Sequence, residues 1–162
     1  MMEERPRPRI RALCLGNELV ADDSFGFCVA KRLKALALDN LEVVATTESG
    51  FNLLDHVVGA PRLVVIDTVL THAASPGTIY RLQERELKES PGAAIHGIGL
   101  LDVLGLGRKL GLEVATDVVF IVVEAADLVT VGGAMHPAVL AAVRTTVDMV
   151  LQMLHPGPHP AA

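Results

Sequence analysis

Ile10-Arg11-Ala12-Leu13-Cys14-Leu15-Gly16-Asn17 is an apolar run closed by a Gly-Asn turn, and it reads as a first strand. The segment after it decides the architecture. Residues 24–38 carry Phe25, Val29, Leu33 and Leu36 at helical spacing, with Lys31, Arg32 and Lys34 on the other side. That spacing predicts an amphipathic helix, stopped by Asp39-Asn40. A second strand is expected at 41–46 and a short helix at 51–58, broken by Gly59-Ala60-Pro61. A third strand at 63–66 is wholly apolar and closed by Asp67. Residues 78–82 alternate and suit a short edge strand, whereas 83–90 is polar and expected to be irregular. Residues 98–110 keep helical leucine spacing despite Gly99, Gly105 and Gly107, whose cost calls for close packing against a neighbour. A last strong strand at 117–123 ends at Glu124, and a final helix spans 137–154 with Pro137 in its first turn. Strands alternate with helices, which implies a single three-layer α/β domain. Its sheet is twisted, mostly parallel and about five-stranded, with helices on both faces. The domain is expected at 10–154, between a flexible segment 1–9 and a Pro-rich, disordered tail 155–162.

Composition agrees. Hydrophobic residues make up 51% of the 162, yet aromatics only 3%, so the core must be built from Val, Leu, Ile and Ala. Buried parallel strands have this aliphatic character. A net charge of −5 and scarce aromatics argue against a nucleic-acid partner, which needs a basic face or stacking rings. The basic cluster Arg5, Arg7, Arg9 and Arg11 is interleaved with Pro6 and Pro8, and 5–9 reads as a solvated end. No run reaches the roughly 18 apolar residues of a membrane span, and no secretory signal precedes the first strand. Cys14 and Cys28 form no CxxC pair and read as reduced, buried and inert thiols of a cytoplasmic protein.

In open α/β sheets the ligand site lies beyond the carboxyl ends of the strands. Those positions are acidic here: Asn17, Glu18, Asp22 and Asp23 after the first strand, Glu48 and Ser49 after the second, Asp67 after the third, and Glu124 and Asp127 after the last. His96 sits ahead of the glycine-containing helix. Crowded carboxylates need protonation, helix N-termini or a cation. Two carboxylates and an imidazole suit a borderline divalent metal and leave positions open for water or substrate. Each has a plainer reading. Asp22 suits a helix cap, and for Asp23 capping and ligation are both open. Asp67, directly after Leu-Val-Val-Ile, is costly unless used or paired, which favours function over a turn cap. A lone His96 is more often structural than a ligand. Of the other histidines, His72 is a reserve ligand, whereas His56, His136, His155 and His159 are not expected to ligate. No G-x-G-x-x-G, Walker P-loop, H-E-x-x-H or G-x-S-x-G is present.

These residues also stand in a pattern that resembles a known family. Leu15-Gly16-Asn17-Glu18-Leu19-Val20-Ala21-Asp22-Asp23-Ser24-Phe25-Gly26 is similar to the opening signature of the hydrogenase maturation proteases. Ile66-Asp67-Thr68-Val69 with Pro76-Gly77-Thr78 resembles their second block. His96 with 97–104 resembles their histidine and helix, and Gly133-Ala134-Met135-His136-Pro137 their C-terminal block. The four blocks stand in the family's order over roughly residues 10–154. The resemblance implies an aspartic-type endopeptidase that removes the C-terminal extension of a nickel-loaded hydrogenase large-subunit precursor. It also implies three metal-holding residues, Asp23, Asp67 and His96, of which the first is commonly Glu in the family. The resemblance further implies that the cation is nickel carried by the substrate, with zinc or cadmium able to occupy the same site. Three positions depart from the family pattern: Cys14 and Ser24 replace glycines, and Glu48-Ser49-Gly50 replaces a Gly-Gly-Thr-like turn.

Two mechanisms are open at the sequence level: attack by a water that the metal acidifies, or general-base catalysis by one carboxylate. Two other functions compete. One is a non-cleaving, metal-dependent escort protein for a metalloenzyme subunit. The other is a small-molecule hydrolase on a doubly wound scaffold, against which the missing phosphate loop argues.

Overall fold

β1 (Ile10–Leu15) lies between β2 (Leu41–Thr46) and β3 (Leu63–Val69), parallel to both. β3 pairs in parallel with β5 (Val118–Glu124), and β4 (Ile79–Gln83) closes that side as an antiparallel edge strand. The sheet order is therefore β2-β1-β3-β5-β4. This computed structural model describes residues 10–89 and 95–155, and the side chains of all of these except 88, 89 and 95–98. The expected N-terminal segment 1–9 and all but His155 of the expected tail lie outside the described residues.

Every residue of β3 and β5 is buried. Their side chains alternate between two separate aliphatic cores. Ala12, Cys14, Val64, Ile66, Val119 and Ile121 pack on one face, against α1 (Phe25–Ala35) and α5 (Pro137–Leu154). Leu13, Leu15, Leu63, Val65, Val118 and Phe120 pack on the other, with Leu53, Val57, Leu100, Val103 and Leu104. These last come from a 3₁₀ turn (Gly50–Leu53), from α2 (Leu54–Val57) and from α4 (Ile95–Lys109). The three-layer α/β domain expected from the alternation is the one observed.

Element bounds differ from the sequence reading where polar residues are used structurally. The stretch expected to be irregular is helical, as α3 (Glu84–Glu89). Glu86 accepts a hydrogen bond from the Gln83 backbone N–H at 2.5 Å, half of a capping box, and Arg108 grips Glu84 at 2.6 and 2.8 Å. Leu87 anchors it in the core. β3 runs three residues past its expected end and so contains Asp67. α1 stops at Ala35, short of Asp39, and Ala37 takes a left-handed φ of 48°. Close packing accounts for one of the three helix glycines. A Cβ at Gly107 would meet Val114 at 2.7 Å, whereas at Gly99 and Gly105 it would meet nothing within 4 Å.

α5 is, by length and composition alone, apolar enough to cross a membrane, although Arg144 and Asp148 interrupt it, so it is not an unbroken apolar run. Its buried residues, Val139, Ala142, Val143, Thr146, Val147, Val150, Met153 and Leu154, form one stripe packed in the α1-side core. Within that stripe the Thr146 hydroxyl is buried with no hydrogen-bond partner among the described residues. Thr146→Val keeps the shape and removes the unpaired group. We expect it to raise stability by about 1 kcal/mol in urea denaturation.

Candidate functional site

The chain leaves β1 towards β2 on one side and returns to β3 on the other, so the sheet's switch point lies between β1 and β3. A crevice is expected outside the carboxyl ends of those two strands. A cavity of about 250 Å³ opens there, lined by Leu15, Gly16, Asn17, Asp23, Thr47, Glu48, Ser49, Gly50, Leu53 and Gly99. Its walls are thus the turns after β1 and β2 and the first half of α4.

Asp23 reaches this cavity from a 3₁₀ turn (Asp22–Ser24) that leads into α1. Its backbone carbonyl accepts a hydrogen bond from the Asn17 N–H at 3.0 Å, which folds the turn back on itself. That fold requires glycine at 16: φ there is 149°, and a Cβ would collide with the Asp23 carbonyl. Asp67 is buried inside β3, one residue before Thr68, and its Oδ1 accepts the Thr68 backbone N–H at 2.8 Å. By strand alternation with Leu63, Val65 and Val69, Asp67 faces the α4 layer. The Thr68 hydroxyl donates to Asp23 Oδ1 at 3.3 Å. Thr68 thus hydrogen-bonds both acids, Asp67 through its backbone N–H and Asp23 through its hydroxyl. His96 is the second residue of α4, in its first turn rather than ahead of it, and its side chain is outside the described set. Among the described residues, no three His, Cys, Asp or Glu side chains form a group that could hold a metal ion. The reserve ligand His72 is exposed, with a left-handed φ of 59°, and forms no such group with the two acids.

Three other acids at this edge are structural. Asp22 is fully buried, and it does not cap a helix as expected. Its Oδ2 accepts the N–H groups of Ala126 and Asp127 at 2.7 and 2.8 Å, and its Oδ1 that of His136 at 2.7 Å. His136 is in turn the N-cap of α5, accepting the Ala138 N–H on Nδ1. Glu124 is also buried, and it ties down the loop after β3. It accepts the N–H groups of Thr71 and His72 at 2.8 and 2.9 Å, the Thr71 hydroxyl at 2.8 Å and the Tyr80 hydroxyl at 3.3 Å. Asp127 accepts the Val129 and Thr130 N–H groups, and hydrogen bonds from Thr130 and Val129 hold its carboxyl below the usual carboxylate range. The long-range roles of Asp22 and Glu124 have no local sequence signature, whereas Asp127 closes an Asx-type turn onto the N–H groups two and three residues on.

The departures from the family pattern lie around the site. Cys14 is a buried core residue of β1 whose thiol burial pushes up to about 12, so it stays protonated and inert. Cys28 is half-buried, not buried as expected, and both thiols are free. Ser24 donates to the Ala21 carbonyl at 2.7 Å. Glu48 lies 2.5 Å from His56 Nε2 and forms part of the cavity wall. A larger cavity of about 370 Å³ lies at the opposite end of β5, by Gln83, Arg85, Arg108 and Asp117. Its charged groups are largely paired, Arg108 with Glu84 and Asp117 with Arg62, so the smaller cleft is the better candidate.

The sequence pattern of the family described as hydrogenase maturation protease matches residues 28–153. The chain is 30% identical over 155 residues to the hydrogenase expression/formation protein HupD of Thiocapsa roseopersicina, covering 93% of this chain and 69% of that one. It is 29% identical over 111 residues to the hydrogenase 2 maturation protease of Escherichia coli K12, covering 64% and 65%. Among solved structures it is similar to the hydrogenase maturating endopeptidase HybD from E. coli, with a TM-score of 0.76 at 25% identity over 90% of this chain and 91% of that one. The [NiFe] hydrogenase maturation protease HybD from Thermococcus kodakarensis matches with a TM-score of 0.73 at 25% identity, over 90% and 99%.

Proposed function

Because the chain belongs to the hydrogenase maturation protease family, we propose that it is the endopeptidase that removes the C-terminal extension of a nickel-loaded hydrogenase large-subunit precursor. The observation that supports the site assignment is that Thr68 hydrogen-bonds both Asp23 and Asp67, with Asp23 lining a cleft at the β1–β3 switch point. Asp23, Asp67 and His96 are the residues that would meet the substrate's nickel. Two carboxylates and an imidazole are a fitting donor set for a borderline cation, and zinc or cadmium would fit it as well. A cation held there supplies Lewis-acid polarisation of the scissile carbonyl. This chain's own share is to fix the extended tail in the cleft and to offer a carboxylate as general base.

The cleft's rim supports a protein substrate. Its Asn17 belongs to a loop that pairs through Val20 and Ala21 with Val131 and Thr130. These two loops expose Leu19, Val129 and Val131, at 66%, 82% and 75%. Large apolar side chains held in the open beside a cleft are typical of protein-binding surfaces. We place the reaction in the cytoplasm, on the strength of two free thiols.

Incubation with nickel-loaded and nickel-free cognate precursor, followed by intact-mass spectrometry, tests this. Loss of a C-terminal peptide from the loaded form alone is expected. An unchanged mass in both, with binding confirmed, would turn the reading towards a non-cleaving escort protein. Full activity in both Asp23→Asn and His96→Ala would remove the nickel-bridging role.

A further inference from the structure

We infer that Thr68 is a positioning residue for the two site carboxylates, an inference that rests on the proposed roles of Asp23 and Asp67. Thr68 is only 5% exposed, yet it spends both of its donors on these acids. Its backbone N–H goes to Asp67 Oδ1 at 2.8 Å and its hydroxyl to Asp23 Oδ1 at 3.3 Å. The sheet explains why the residue is available for this. The β1–β3 register ends at the Cys14–Ile66 pair, while β3 continues to Val69 beside β5. Past Ile66, therefore, the β1-facing side of β3 has no strand partner, and the space is taken by the turn that carries Asp23.

Side-chain type matters too. A β-branched threonine in a strand has few χ1 choices, so its hydroxyl is presented from a stiff base. Asp23 is anchored at its backbone by Asn17 and at its carboxylate by Thr68, which fixes the direction of a short side chain from both ends. Residues that orient ligands in this way typically contribute about 10–100-fold in metal affinity or activity.

The test compares Thr68→Val, which keeps shape and burial and loses only the hydroxyl, with Thr68→Ser, which keeps the hydroxyl. Two quantities are read: steady-state cleavage of the nickel-loaded precursor, and binding of nickel(II) alone to the free protease by calorimetry. Thr68→Val is expected to lower kcat about tenfold with KM for the precursor unchanged, and to weaken nickel(II) binding about tenfold. Thr68→Ser is expected to restore both to within about threefold of wild type. If Thr68→Val keeps wild-type kcat and nickel affinity while Asp23→Asn is inactive, the positioning role is overturned and the proposed function stands. If Asp23→Asn is also fully active, the site reading beneath both is wrong. A lower melting temperature in Thr68→Val, with kcat and affinity intact, would reduce Thr68 to a structural residue and likewise overturn the inference.

Discussion

Asp67→Asn is expected to abolish tail removal, with at least a 100-fold loss of cleavage rate, and to leave the fold standing. The substitution is nearly isosteric. The new amide would still present an oxygen to the Thr68 N–H, the bond that Asp67 Oδ1 accepts at 2.8 Å. What disappears is one negative charge within a buried strand, next to the residue whose hydroxyl bonds Asp23. If that charge only stabilised the fold, the change would appear as a shift in melting temperature. If it acts on the substrate's nickel or as a base, the change appears in turnover. Loss of a residue that merely orients a ligand costs about 10–100-fold, so loss of a ligand or base should exceed that range. Circular dichroism is expected to place the Tm within about 3 °C of wild type, a shift of roughly 1 kcal/mol for a chain this size. Cleavage at more than a tenth of the wild-type rate would remove Asp67 from the chemistry.

The neighbouring aspartate should behave in the opposite way. Asp22→Ala is expected to destabilise the protein by about 4 kcal/mol, lowering Tm by roughly 10 °C. Asp22 is fully buried and accepts three backbone N–H groups, from Ala126, Asp127 and His136. Each bond to a charged acceptor is worth about 1.5–3 kcal/mol, and the three are not additive because the freed loops can move out to water. Asp22→Asn is not a mild substitute: both carboxylate oxygens accept, so an amide NH₂ would face an N–H wherever it pointed. Urea denaturation with an unchanged m-value measures the effect, and a loss below about 1 kcal/mol would contradict it. Adjacent acids in one Asp-Asp pair are thus assigned to different tasks, and the two substitutions separate them.

The sheet is legible in the sequence because its evidence is local. Leu63-Val64-Val65-Ile66 and Val118–Glu124 are apolar almost throughout, and only a strand covered on both faces reads that way. The helix Pro137–Leu154 is legible to the residue because Pro137 and the helical spacing of its apolar residues mark it. α3 is not legible, because a capping glutamate, a distant arginine and a single buried leucine hold it, and none of these gives a periodicity. β3 reads as too short because Asp67 and Thr68 look like a strand end. They are buried within it, where the proposed site would use them. The two proposed acids stand out by their positions after strands. The roles of Asp22 and Glu124 do not, since each bonds to residues more than 40 positions away. A carboxylate serving a distant loop looks, in sequence, the same as one serving a substrate.

The strand order also constrains the history of the molecule as it is made. β4 joins the sheet only through β5, and β5 is synthesised more than 30 residues after it. Until then β3 has a bare edge on the side that β5 will fill, and β4 has no place to dock. A nascent chain ending anywhere before Val118 therefore holds an unfinished, largely apolar strand open to other chains. The same chain lacks residues 126–136, to which Asp22 is tied across more than 100 positions. The turn that carries Asp22 and Asp23 is thus secured only after β5 has been made, and a ribosome-bound fragment would be sticky before it could be active.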